Sequence, residues 1–261
     1  MDIRLVTMKT TGDRLTDAHL AAYGGKGLFV KELDRALLEG EVDITVHSFK
    51  DMPMDTDPAL PIAAVSPRAD PRDVLVLPVQ PGASPETPWG CASGRRACQL
   101  RALFPAIHIE PVRGNVQTRL AKLDGGAYGA LVLAAAGLQR AGLGGRISRY
   151  FTTQEILPAA CQGILAVQAR RGEDVSFLRA FHAPDAWDAA LAERAFVRAL
   201  GGGCGTPVAA FAQVRGTELQ LDGLCLHEPS GKLWRGTRTG PRAGAETIGA
   251  ALAEQARREL A

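Results

Sequence analysis

Aromatic residues are scarce in this chain: three Trp, three Tyr and eight Phe among 261 residues. Its cores must be aliphatic, drawn from a composition that is 46% hydrophobic. A net charge of only +2 excludes a generally polybasic surface. That removes non-specific nucleic-acid binding, which needs a concentrated basic face. No apolar run reaches the roughly 20 residues of a membrane span, and Met1–Thr7 holds no apolar signal core. The five cysteines (Cys91, Cys98, Cys161, Cys204, Cys225) are odd in number and show neither C-x-x-C nor metal-ligand spacing. These absences lead us to expect a cytoplasmic protein with free thiols, no metal, and no nucleic-acid or membrane partner.

What is present is a repeated strand–helix alternation. Ile3–Met8 alternates like a short strand, and Asp13–Tyr23 is a polar connection. Gly24-Gly25-Lys26-Gly27 opens a helix running from Leu28 to Leu38, and Gly40 closes it. Strands are expected at Asp43–His47, Ile62–Val65, Asp73–Leu77, Ile107–Pro111, Ala130–Ala136 and Gly163–Gln168. Helices are expected from a Ser93 cap to Leu103, over Asn115–Leu123, from about Asp185 to Leu200, and over Ala245–Leu260. The buried apolar strands between helices indicate α/β units around parallel sheets. Breaks near Pro67–Pro71 and Leu157-Pro158 divide the chain. The block after about residue 181 reads as a small α+β domain.

Basic residues gather at element ends: Lys26, Lys50, Arg68, Arg72, Arg95, Arg96, Arg113, Arg119 and Arg140. In open α/β sheets, ligands bind beyond the carboxyl ends of the strands. Arg presents a planar fork to carboxylates, so many forks in one cleft imply a ligand with several anionic groups. Each piece alone is weak. Gly-Gly-Lys-Gly lacks the Walker spacing, and a single Arg pair is usually a solvated helix start. His47 reads as a packed core histidine, and Cys91, Cys98, Cys161 and Cys225 read as buried small residues. Cys204 differs, because Gly201-Gly202-Gly203 before it and Pro207 after it place a lone thiol on an unrestricted loop.

Several ordered motifs together resemble hydroxymethylbilane synthase, the porphobilinogen deaminase family. They are Gly24-Gly25-Lys26-Gly27-Leu28-Phe29-Val30-Lys31-Glu32-Leu33, Val46-His47-Ser48-Phe49-Lys50-Asp51-Met52-Pro53 and Pro71-Arg72-Asp73. Arg95-Arg96, Arg113-Gly114-Asn115-Val116-Gln117-Thr118-Arg119-Leu120, Leu133-Ala134-Ala135-Ala136-Gly137-Leu138 and Gly202-Gly203-Cys204 continue the series to the C-terminus.

The resemblance implies two α/β domains of the type II periplasmic-binding-protein kind plus a small α+β domain. The expected division is 1–68 with 161–180, then 71–158, then 181–261. It implies a dipyrromethane cofactor held by Cys204 through a thioether. Four porphobilinogen molecules then join in turn, each losing ammonia to give an azafulvene electrophile, and water releases linear hydroxymethylbilane. Asp51 matches the catalytic carboxylate, an anion that accepts a pyrrole N–H and stabilises developing positive charge. Lys50, Ser93, Arg95, Arg96, Arg119 and Asp13 match cofactor ligands. Arg113, Arg140, Lys26 and Phe29 match substrate-handling positions. The resemblance also implies a monomer that passes its product to uroporphyrinogen-III synthase.

The family's opening Thr-Arg-x-Ser-x-Leu-Ala motif is absent, so Met1-Asp2-Ile3-Arg4 is expected to begin at the family's second strand; a misplaced start is the favoured explanation. The missing strand would be central to the first sheet. Further departures are Ala22 for a lysine, Cys91, Ala92 and Gly94 before the Arg pair, and Cys161 for a glycine at the crossover. An anion-binding bilobal module and an inactive remnant are the competing readings.

Overall fold

In the computed structural model, residues 2–8, 30–80, 84, 86–202, 206–227 and 230–261 are described. The elements, in chain order, are α1 (Lys31–Leu38), β1 (Ile44–Ser48), β2 (Ile62–Val65), β3 (Asp73–Val76), β4 (Trp89–Gly90), α2 (Gly94–Leu103), β5 (Ile109–Glu110) and α3 (Val116–Asp124). They continue with β6 (Ala130–Ala134), α4 (Ala135–Arg140), β7 (Arg149–Tyr150), β8 (Leu165–Ala169), α5 (Pro184–Ala199), β9 (Val208–Arg215), β10 (Glu218–His227), β11 (Lys232–Pro241) and α6 (Ala245–Leu260).

Three sheets result, in the orders β1-β8-β2, β5-β4-β6-β3-β7 and β11-β10-β9. The chain leaves the first sheet after Val65 and returns to it only at Leu165, having built the second sheet in between. Two crossover segments, 66–72 and 157–164, therefore run side by side. The third sheet is an antiparallel meander backed by α5 and α6.

The expected fold class, α/β units with a small α+β unit, is the one found. The expectation of α/β units around parallel sheets needs correction in the strand directions. Only β5, β4 and β6 run parallel. β8 is antiparallel to both β1 and β2, and β3 is antiparallel to β6 and β7. The cause is topological. A helix-returned strand is parallel to its predecessor, whereas β8 re-enters its sheet from the end at which β2 left it.

Ile3–Met8 is also corrected: it forms no strand, and Ile3 and Leu5 are exposed. Alternation alone makes no strand without a ladder partner to take its N–H and C=O groups. Ala135 and Ala136, expected in a strand, open α4 instead. Cys98 is only partly buried, whereas Cys91, Cys161 and Cys225 are buried as expected. Gly40 closes α1 in the left-handed region, φ 74°.

The largest apolar cluster joins the first sheet to the third unit. Phe49, Met52, Val65 and Ile164 pack with Phe196 and Val197 of α5 and Ile248 and Leu252 of α6. A second cluster under β3 and β6 is aliphatic, as the shortage of aromatics demands.

Candidate active site at the crossovers

The charged side chains of interest leave the carboxyl ends of their strands. β1 runs directly into a short 3-10 turn, Phe49–Asp51. Phe49 is buried and anchors the turn, Lys50 is partly buried, and Asp51 is exposed. Lys50 Nζ donates to Gln162 Oε1 at 3.3 Å. Burial pulls the Lys50 ammonium below the usual lysine range; neighbouring Asp51 counters this, and Arg96 adds to it.

Beyond β4, Ser93 caps α2 by accepting from the Arg96 N–H. The helix so begun delivers Arg95 and Arg96 onto Asp73, the first residue of β3. Arg95 Nη1 lies 2.7 Å from Asp73 Oδ2, and Arg96 Nη2 lies 2.7 Å from Oδ1. Asp73 is fully buried. Burial alone would raise its carboxyl, but the two guanidiniums outweigh that and hold it far below the usual carboxylate range. Two cations against one anion leave an excess positive charge beside Lys50.

Beyond β5, Asn115 caps α3, and Arg119 on that helix bonds the Gly114 carbonyl through Nε at 2.7 Å. Desolvation lowers the Arg119 pKa, and the like charges of Arg96 and Arg113 lower it further, with Asp51 opposing. These guanidiniums lie close enough together to repel one another. Beyond β6, Arg140 at the end of α4 donates to Gly163 O of the second crossover at 2.7 Å. Lys50, Asp51, Arg95, Arg96, Arg113 and Arg119 thus share one electrostatic neighbourhood, whereas Arg140 marks its crossover side.

The loop that bears Cys204 leaves the end of α5, and that end is docked on the Asp51 segment. Arg194 lies over the Phe49 ring at 4.8 Å and donates to Met54 O at 2.8 Å, as Arg198 does at 2.9 Å. Cys204, Asp13, Lys26 and Phe29 lie outside the described residues. Arg68 and Arg72, read from sequence as part of the anion-holding set, pair with the protein's own carboxylates, as Arg95 and Arg96 do with Asp73. Arg68 pairs with Glu193 at 2.7 Å, and Arg72 pairs with Asp70.

Sequence reasoning missed three buried polar residues that organise the site: Asp73, Gln162 and Glu193. Gln162 Nε2 donates to Asp73 Oδ1 at 3.0 Å and to Pro71 O at 2.7 Å. Glu193 accepts from Arg68 and from the backbone N–H groups of Cys161 and Ala212, each at 2.6 to 2.7 Å. Asp73 stands in a quoted motif, but nothing in the motif tells that it faces two arginines.

The mixed α/β sheets and the double crossover thus bring several cations and one exposed carboxylate into a single region, a charge arrangement of the kind that suits a multiply anionic ligand. The model of "Porphobilinogen deaminase, dipyromethane cofactor binding domain" matches residues 1–177, and that of "Porphobilinogen deaminase, C-terminal domain" matches 187–258. A porphobilinogen deaminase of Acetivibrio thermocellus is 56% identical over 97% of this chain and 87% of the relative. That of Alkaliphilus oremlandii is 55% identical over 99% and 88%, and that of Ruminiclostridium josui 52% over 98% and 87%. The chain belongs to the porphobilinogen deaminase family.

Proposed function

We propose that this chain joins four porphobilinogen molecules head to tail on a dipyrromethane primer tethered to Cys204, then releases the linear tetrapyrrole. The chain is a transferase of tetrapyrrole biosynthesis with a dipyrromethane cofactor. The binding-module and remnant readings give way to this one. The observation that carries our residue assignment is that Lys50, Arg96 and Arg119 all lie within charge reach of Asp51, in a segment docked against the end of the helix that precedes Cys204.

The residues present fit the cofactor. Each pyrrole ring bears an acetate and a propionate, and a set of guanidiniums repelling one another is stabilised by such carboxylates. In our reading Lys50, Arg95, Arg96, Arg119, Ser93 and Asp13 hold the primer, and Arg113, Arg140, Lys26 and Phe29 receive the incoming substrate. When bound, the primer supplies the nucleophilic pyrrole carbon. Asp51 accepts a pyrrole N–H and offsets the positive charge that develops as ammonia departs. Ser93 contributes mainly by setting α2, and hence both arginines, in place.

We further read the chain as three domains, 1–68 with 161–180, 71–158 and 181–261. The three sheets support this, as does the gap between the two family matches. A thioether at Cys204, a monomeric state, a cytoplasmic location and hand-over to uroporphyrinogen-III synthase complete the proposal. Among the described residues no helix is long and apolar enough to cross a membrane.

Intact-mass measurement of the purified protein tests the reading. We expect the polypeptide plus two linked pyrroles, and the bare polypeptide for Cys204→Ser. Asp51→Asn should keep the added mass and lose turnover by about a hundredfold or more, the scale of one preorganised electrostatic contact. A folded wild-type sample with no added mass, or an Asp51→Asn variant of near-normal turnover, would refute it.

A further inference from the structure

Gln162, on the second crossover, is 1% exposed and uses both ends of its carboxamide. Oε1 accepts from Lys50 Nζ at 3.3 Å. Nε2 donates to Asp73 Oδ1 at 3.0 Å and to Pro71 O at 2.7 Å. Its backbone is pinned as well: its carbonyl accepts from Arg68 Nη1 at 3.2 Å, and its N–H donates to Ala159 O at 3.0 Å. Only one orientation of the amide satisfies both neighbours, with oxygen towards the ammonium and nitrogen towards the carboxylate. Flipping it would set like partial charges against each.

Lys50 belongs to the element after β1, whereas Asp73 opens β3 and carries both Arg95 and Arg96. A lysine ammonium on a four-carbon stem samples many rotamers unless something holds it. The amide of Gln162 does so, and it measures Lys50 against the Asp73–arginine cluster of the other sheet. We propose that Gln162 is a positioning residue that fixes the spacing between Lys50 and the Arg95–Arg96 pair, and thereby the spacing of cations offered to the anionic primer. The inference rests on the functional reading above, which assigns those cations to primer carboxylates.

The test uses Gln162→Met, which keeps much of the volume and removes both polar ends. Gln162→Glu serves as a second variant: it keeps an acceptor for Lys50 but turns a negative charge on Asp73. Each is made with and without Lys50→Met. Primer occupancy is read by intact mass under limiting porphobilinogen, alongside KM, kcat and thermal melting. Gln162→Met should raise KM about tenfold, the scale of one hydrogen bond to a charged group, with a smaller change in kcat and lower primer occupancy. Added to Lys50→Met it should lower occupancy no further. Gln162→Glu should lower occupancy too, because Asp73 then faces a like charge. A purely structural role would lower melting equally in both backgrounds and leave occupancy and KM of the folded protein unchanged; that result overturns the proposal. Wild-type protein without primer mass would instead sink the functional reading itself.

Discussion

A carboxylate with no solvent exposure and two guanidiniums on its oxygens is the electrostatic centre of this molecule. Asp73→Asn removes the only negative charge in that triad and leaves two buried cations uncompensated. We expect a loss of about 3–5 kcal/mol, measured by chemical denaturation at neutral pH. Asp73 is also acid-sensitive in a definite direction. Its folded carboxyl lies far below its unfolded value of about 3.9, so its contribution is complete above that pH and fades as pH falls further. The melting temperature should therefore drop below about pH 4 more steeply in the wild type than in Asp73→Asn. At this scale the sequence exposed the cations, because Arg and Lys at strand ends are visible in one dimension. It hid their partners, because Arg95 meets Asp73 across 22 positions, Gln162 meets it across 89, and Arg68 meets Glu193 across 125. No local pattern encodes such pairs.

Helices were legible through their caps. Ser93 and Asn115 each accept an N–H in the first turn, as their residue types promise. Strands were less so, since Ile3–Met8 alternates yet lies exposed, and the alanines after Leu133 change from strand to helix without a compositional signal. The α5–α6 pair shows a constraint invisible to propensity. A β-carbon on Gly249 of α6 would sit 2.2 Å from Ala192 O and 2.8 Å from Ala195 Cβ of α5. In an exposed helix, Gly→Ala adds up to about 1 kcal/mol of stability. Here Gly249→Ala should instead destabilise by about 1–3 kcal/mol, the cost of overpacking a tight interface. Urea denaturation of the variant checks the sign.

Across the whole molecule, Glu193 ties the parts together. It reaches from α5 to Arg68 on the first crossover, Cys161 on the second, and Ala212 in β9. Cys161 holds its amide there at φ 62°, a conformation that costs a residue with a β-carbon roughly 1 kcal/mol or more. Glu193→Gln keeps the shape but leaves the Arg68 charge without its counter-ion. We expect a loss of about 3 kcal/mol and faster protease cleavage within 66–72 than in the wild type. The alternation of strands and helices was readable from the sequence. Which segments would touch was not.

The two crossovers meet at a point. Ala69 N–H donates to Gly163 O at 3.0 Å, and a β-carbon on Gly163 would fall 2.6 Å from Ala69 O. Cords pinned so closely leave no room between them: any side chain at Gly163 would have to prise the two segments apart.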